Sequence, residues 1–215
     1  KYPSVLTGKR REKPVRVFDM VAFGYELDVL EARFYELSEA VDIYVIMEGS
    51  RAHRGYRKPL FFAENMDRFK PFLNRTMYFV EDDSLAWKYR QEMHLPDSVS
   101  KNKNEVPQKW NIEVLQRDLL YKKFIEGFGD IGDDDLIIHG DMDEVPDGDV
   151  IFQMKHCEAK LPAGFCPQGY HNHMRFPANR RQSGTCFQPS VVTKQHINKN
   201  GGKVLYRYSP PHTVD

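Results

Sequence analysis

Hydrophobic residues along the first two-thirds of the chain form continuous apolar runs, and these alternate with segments of helical spacing. Four of the runs predict strands: VRVFDMVAF (residues 15–23), DIYVIMEG (42–49), TMYFVED (76–82) and DLIIHGD (135–141). The second is nearly continuous in its apolar residues, which is typical of a strand buried on both faces of a sheet.

Two segments have the spacing of amphipathic helices. The first carries apolar residues three and four positions apart, on one stripe: Leu27, Leu30, Phe34, Leu37 and Val41. The second, WNIEVLQRDLLYKKFIEG (residues 110–127), has a similar stripe and ends at a glycine. The order strand, helix, strand, strand, helix, strand predicts an α/β fold, with a mostly parallel central sheet and helices on both faces.

The remaining segments are less regular. Residues 83–107 are polar and predict a long loop. After residue 150, proline, glycine, asparagine and histidine become frequent, and pieces such as GFCPQGYHNHMRF (residues 164–176) predict short strands and loops. We expect one domain over residues 1–215, with residues 14–150 and 151–215 as its two halves.

Charge and cysteine content narrow the class of protein. Lysine plus arginine and aspartate plus glutamate both number 31, so the net charge is zero, which argues against nucleic-acid binding. The basic run GKRREK (residues 8–13) predicts a solvated N-terminal segment. No apolar stretch approaches the ~20 residues of a membrane span. Three cysteines without CxxC spacing favour reduced thiols. We therefore expect a soluble cytoplasmic protein of bacterial or viral type, with the Golgi lumen after loss of an anchor as the alternative.

Carboxylates crowd the stretch DDDLIIHGDMDEVP (residues 133–146). Asp141 and Asp143 follow an apolar strand, at the carboxyl end where open α/β sheets hold ligands. If this segment is extended, the two side chains project to the same side and repel unless a cation lies between them. Mg²⁺ or Mn²⁺, bridged to substrate phosphates, is the expected partner. A solvated loop is the alternative, whereas a calcium loop is excluded because Val145 and Met154 occupy ligand positions.

Three collinear blocks within residues 15–150 resemble a known family. YELDVLEARFYELSEAVDIYVIMEGSRAHRGYRKPLFFAEN (residues 25–65) resembles the pattern ELDLLEIRLNEL…VD.FVIVES…GKPKPL.F of the bisecting N-acetylglucosaminyltransferases, glycosyltransferase family 17. LQRD (residues 115–118) resembles the QRN helix of that family, and DDDLIIHGDMDEVP resembles its DDIIIISDADEIP segment. The family's late GWHFS-like segment has no counterpart in this sequence.

The resemblance implies an enzyme, its fold and its ligands. It implies a GT-A glycosyltransferase with a Rossmann-like sheet, a UDP-sugar donor, a glycan or glycoprotein acceptor and inversion at the anomeric carbon. Residues 14–150 would bind the nucleotide sugar and residues 151–215 the acceptor. Mn²⁺ or Mg²⁺ on Asp141 and Asp143 would neutralise charge as the nucleoside diphosphate leaves, and His212 is a candidate third ligand.

Other residues are assigned roles around the same donor. Glu48 would accept hydrogen bonds from the ribose or the base, although a strand-end surface acid is an equal alternative. Arg51, Arg117 and Asp141 would also contact the donor. The alternative for Arg51 is a solvated side chain, and the alternative for Arg117 is an ion pair within the protein. A polar wall for acceptor hydroxyls is expected from the residues His171, His173 and Arg175.

An inverting transfer needs a general base for the acceptor hydroxyl. The candidates are Glu144, Asp147 and Asp149, or an acid from residues 83–107. A nucleotidyltransferase acting on sugar phosphates is a competing function, although VAFGYELD (residues 21–28) has a single glycine where such enzymes carry a glycine-rich loop. A non-catalytic sugar-binding relative is the third possibility, and the donor sugar is not readable from the sequence.

Overall fold

The computed structural model describes residues 5–52, 57–82, 109–165, 189–199 and 212–214. It describes only the backbone of residues 109–115, 118 and 212–214. None of the described helices is long and apolar enough to cross a bilayer.

Nine strands and five helices are formed by the described residues. The strands are β1 Leu6–Arg10, β2 Val17–Phe23, β3 Ile43–Gly49, β4 Thr76–Glu81, β5 Leu136–His139, β6 Cys157–Ala159, β7 Ala163–Phe165, β8 Ser190–Thr193 and β9 His212–Val214. The helices are α1 Leu27–Glu36, α2 Phe61–Glu64, α3 Lys109–Phe128, α4 Gly148–His156 and α5 Lys194–Lys199, with 3-10 turns at Met66–Phe69 and Leu73–Arg75.

The main sheet has seven strands in the order β4-β3-β2-β5-β8-β7-β9. Strands β4, β3, β2 and β5 are parallel, whereas β8 runs antiparallel to both β5 and β7. The predicted α/β class with a mostly parallel sheet is confirmed. From β2 the chain first builds outward through β3 and β4, and then returns to place β5 on the other side of β2. The strand order therefore reverses between β2 and β5, which is the place where open α/β sheets bind ligands.

Two apolar cores lie on opposite faces of this sheet. Alternate residues of β2 point to opposite faces: Val17 and Val21 pack in one core, and Phe18 and Met20 pack in the other. The first core also contains apolar residues of α1 and α4, and the second contains those of α3. This arrangement places helices on both faces, as the sequence predicts.

Some elements differ from the prediction. Helix α3 extends to Phe128, one residue past the predicted stop, and is followed by Gly129 with a φ of 71°. This positive φ ends the helix because only glycine adopts it at little cost. Helix α4 was missed because its buried face is short, with only Ile151 and Met154 fully buried beside Gly148.

The segments near both ends of the chain also add strands. The basic N-terminal segment includes β1, which pairs antiparallel with β6, although Lys9 and Arg10 remain exposed. Strands β7, β8 and β9 of the second half belong to the same sheet as the first half. The assignment of the two halves to donor and acceptor stays a prediction.

Candidate functional site

A cavity of about 650 Å³ opens at the carboxyl ends of β2 and β5. Its walls come from four parts of the chain: the end of β2 and the start of α1, the segment after β3, the middle of α3, and the turn after β5. The lining residues are Ala22, Phe23, Gly24, Tyr25, Glu26, Arg51, Ala52, Lys58, Gln116, Arg117, Gly140, Asp141, Met142 and Asp143. The cavity therefore lies at the reversal of strand order, where the sequence places Asp141 and Asp143.

The turn after β5, residues 140–144, is called here the aspartate turn. Its backbone is not extended as expected: the Glu144 N–H donates to the Asp141 carbonyl over 3.1 Å. Met142 is buried between the two aspartates, and both of them still line the cavity. Gly140, the first residue of the turn, has no room for a side chain: a Cβ there would lie 2.9 Å from Cβ of Pro189 and would displace the neighbouring segment.

Arg117 supplies the positive charge next to Asp141. Its guanidinium forms an ion pair with the Asp141 carboxylate, and both groups are partly shielded from water. This contact brings two predicted donor-binding residues together. The pairing balances the charge of one carboxylate of the turn.

Glu48 is not among the described residues that line the cavity, and its role at the donor stays a prediction. Its side chain is fully buried, and its carboxylate accepts hydrogen bonds from Lys58 Nζ (3.0 Å), the Phe62 N–H (3.2 Å) and the Tyr78 hydroxyl (2.8 Å). Burial raises the pKa of Tyr78 well above its ordinary value, and the hydrogen bond to Glu48 raises it further. These contacts favour a structural role for Glu48, and they place Lys58, which also lines the cavity, beside it.

Of the three candidate bases, Glu144 belongs to the aspartate turn and Asp147 and Asp149 follow it, and none of them is in the described lining of the cavity. Glu144 Oε2 accepts a hydrogen bond of 2.6 Å from the Asp141 N–H. Asp147 caps α4, accepting the Val150 N–H over 3.1 Å, and Asp149 lies in the first turn of that helix. An acid at a helix N-terminus stabilises the helix without any catalytic role.

The cavity contains residues that the sequence analysis did not assign to the site. Tyr25 is 70% exposed on the cavity wall, and the Glu26 carboxylate accepts its backbone N–H over 2.9 Å. Gln116 lies next to Arg117 and donates to Glu81 over 2.6 Å. An aromatic residue directly after a strand, as in VAFGYELD, is the signal that could have identified Tyr25. Glu26 precedes α1, where the sequence allows an acid near the donor or one that only complements the helix dipole.

The predicted metal and acceptor residues are only partly described. Among the residues that the structure describes, no group of three or more histidine, cysteine, aspartate or glutamate side chains could hold a metal ion. Asp141 and Asp143 nevertheless offer the oxygen ligands that Mg²⁺ and Mn²⁺ prefer, and such ions take only one or two carboxylates beside substrate phosphates. His171, His173 and Arg175 lie outside the described residues, as does the 83–107 segment, and His212 is described by its backbone in β9 alone.

Comparison with known proteins identifies the family. The family model of Glycosyltransferase family 17 matches residues 4–175. The chain belongs to glycosyltransferase family 17. Its relatives include the β-1,4-mannosyl-glycoprotein 4-β-N-acetylglucosaminyltransferases of Rattus norvegicus and Homo sapiens, each 26% identical over 147 residues.

These alignments cover 67% of this chain and 24% of each relative. The matched region is thus about a quarter of the relatives' length. No solved structure shows a significant match.

Proposed function

We propose that this chain carries the donor site of a metal-dependent, inverting glycosyltransferase that moves a sugar from a UDP-sugar to a hydroxyl group of a glycan. The proposal depends on one observation: two aspartates and three basic side chains meet in one cavity where the strand order of the parallel sheet reverses. The relatives' names support transfer of N-acetylglucosamine to a glycan acceptor. The same arrangement supports a GT-A fold.

Basic side chains provide a site for the diphosphate of the donor. Arg51, Lys58 and Arg117 line the cavity on the side of β3 and α3. Arginine binds phosphate oxygens through paired, charge-assisted hydrogen bonds, and lysine adds a point charge. Because Arg117 already contacts Asp141, a diphosphate that binds it also lies beside the aspartate turn.

The turn itself suits a divalent cation. Asp141 and Asp143 would hold Mg²⁺ or Mn²⁺, which when bound supplies charge neutralisation to the departing nucleoside diphosphate. Arg117 pairs with one of the two carboxylates of the turn, and a divalent cation would balance the other.

Tyr25 provides an aromatic surface for the donor. Its ring is largely exposed although it lines the cavity. A tyrosine in this position stacks on a planar base or on the apolar face of a sugar ring. We assign Tyr25 to the uracil or the transferred sugar.

The general base is assigned by where the carboxylates lie. Glu144, Asp147 and Asp149 are all absent from the described lining of the cavity, whereas Glu26 is part of it. Glu26 is a carboxylate of the lining outside the aspartate turn, so it is the first residue to test as the base. Glu26→Gln should lower kcat far more than it weakens UDP binding.

Calorimetry with UDP tests the proposal, with and without Mn²⁺. We expect binding that needs the metal and is lost when Asp141→Asn and Asp143→Asn are combined. The matched control combines Asp133→Asn and Asp134→Asn, two exposed aspartates from the same acidic stretch at the opposite end of β5. Equal UDP binding by the two double variants would contradict the proposal. Donor hydrolysis by the purified parent would exclude a non-catalytic sugar-binding relative.

A further inference from the structure

A buried ion pair lies beneath the aspartate turn. Arg33 of α1 and Asp19 of β2 are both fully buried. The Arg33 guanidinium donates through Nε to Asp19 Oδ2 and through Nη2 to Asp19 Oδ1, each over 2.7 Å. This forked geometry is the strongest form of an arginine–carboxylate contact.

The remaining nitrogen of Arg33 points at the turn. Nη1 donates to the carbonyl oxygens of Asp141 (3.1 Å), Met142 (3.3 Å) and Glu144 (2.9 Å). One guanidinium thus joins α1, β2 and the turn after β5 in a single network. The backbone carbonyls of the turn face inward to Arg33, while the side chains of Asp141 and Asp143 line the cavity.

A buried arginine needs both a partner for its charge and acceptors for its N–H groups. Asp19 balances the charge of Arg33, so the pair adds no net charge to the cavity. The other N–H groups still need acceptors, because a buried donor without one costs the free energy of its lost hydration. In the conformation that the structure shows, the carbonyl oxygens of the turn provide those acceptors.

We infer that Arg33, held in place by Asp19, is a positioning residue that fixes the conformation of the aspartate turn and so directs the Asp141 and Asp143 carboxylates into the cavity. This role rests on the proposed function of the turn in nucleotide binding. Arg33 acts through the turn's backbone and contacts no substrate.

The test replaces the whole pair, so that no buried charge is left without a partner. Arg33→Met combined with Asp19→Leu keeps an apolar volume, and such replacements of buried ion pairs are often neutral for stability. The matched control removes the pair at the amino end of β5, Arg16→Met with Asp135→Leu, whose atoms are 2.7 Å apart. All proteins are first compared by thermal unfolding.

Two measurements follow. Hydrogen exchange of the peptide over residues 140–145, without any ligand, should be faster in the Arg33/Asp19 double variant than in the parent and the control. The Kd for UDP in Mn²⁺ should rise about 10- to 100-fold, the usual effect of losing a group that orients metal ligands. Arg33→Lys, which keeps the charge but loses the fork, should show a smaller change in the same direction, and it replaces the double variant if that protein does not fold.

The outcomes separate the two claims. Parent-like exchange and parent-like UDP affinity in the double variant would overturn the positioning role. If Arg33→Lys has the hydrogen-exchange rate and the UDP affinity of the parent, the positioning role is also overturned, because a positive charge alone would then suffice. Failure of the parent to bind UDP in Mn²⁺ would refute the proposed function instead, and the exchange measurement would still decide whether Arg33 fixes the turn.

Discussion

Replacing Glu48 with glutamine distinguishes a structural role from a ligand-binding one. The carboxylate accepts hydrogen bonds from three donors: Lys58 Nζ, the Phe62 N–H and the Tyr78 hydroxyl. Glutamine has the same shape but only one acceptor oxygen, so its amide nitrogen must face a donor. The Lys58 ammonium, itself largely buried, would also lose its carboxylate partner and keep only the Pro59 carbonyl as a hydrogen-bond acceptor among the described residues.

The expected cost follows from these contacts. Hydrogen bonds to a charged group contribute about 1.5–3 kcal/mol each, and Glu48→Gln weakens two of them. If both contributions are lost, the free energy of unfolding should fall by about 3–6 kcal/mol. For a chain of this size that corresponds to a decrease in Tm of roughly 6–24 °C.

Urea denaturation and thermal unfolding measure the change, with Glu39→Gln as the control because Glu39 is exposed. UDP binding in Mn²⁺ is measured on the same proteins at a temperature where both remain folded. A Glu48→Gln protein as stable as the control that no longer binds UDP would refute this reasoning. It would show instead that Glu48 contacts the donor directly.

Three further predictions concern the cavity, the core and the response to pH. Arg117→Gln should weaken UDP binding about tenfold or more, since a charge-assisted contact is lost. The same change should strengthen the binding of Mn²⁺ alone, because Asp141 no longer pairs with Arg117. Calorimetry would detect both changes, and a loss of Mn²⁺ affinity alongside the loss of UDP affinity would contradict the second prediction. Phe34→Ala should lower the free energy of unfolding, measured in urea, by about 3–5 kcal/mol, because the centroid of its buried ring lies 4.1 Å from that of Tyr44. A change under about 1 kcal/mol would be inconsistent with this packing. Burial and nearby Lys199 lower the pKa of His196 below its unfolded value of about 6.5, so the stability that its neutral ring contributes should be present above that pH and be lost as the pH falls below it. Urea midpoints from pH 8 to 5 should decline less in His196→Gln, and identical declines would exclude His196 as the cause.

Strong periodicity made the centre of the fold predictable. Strands β2, β3, β4 and β5 coincide with the four apolar runs. Strands β2, β3 and β5 are almost wholly buried inside the sheet, and β4, at its edge, is half-buried. The position of Asp141 and Asp143 followed from the same pattern, since a parallel strand presents its carboxyl end at the ligand-binding edge. The cavity lies at that edge.

The parts that escaped prediction depend on contacts between distant segments. Glu48 ends a strand, as a ligand-binding acid would, and only the tertiary structure shows that Lys58, Phe62 and Tyr78 enclose it. Asp19 and Arg33 interrupt apolar patterns in a strand and a helix, and that interruption was the available signal for a buried pair. The hydrogen bonds from Arg33 to the carbonyl oxygens of the aspartate turn cannot be predicted from the spacing of residues in the sequence.

A crystal structure of the protein with UDP and Mn²⁺ tests the central claim most directly. The account predicts a metal ion bound by Asp141 and Asp143 and in contact with the diphosphate, within reach of the Arg117 guanidinium. A nucleotide bound elsewhere, or bound in this cavity while both aspartates contact only water, would contradict it.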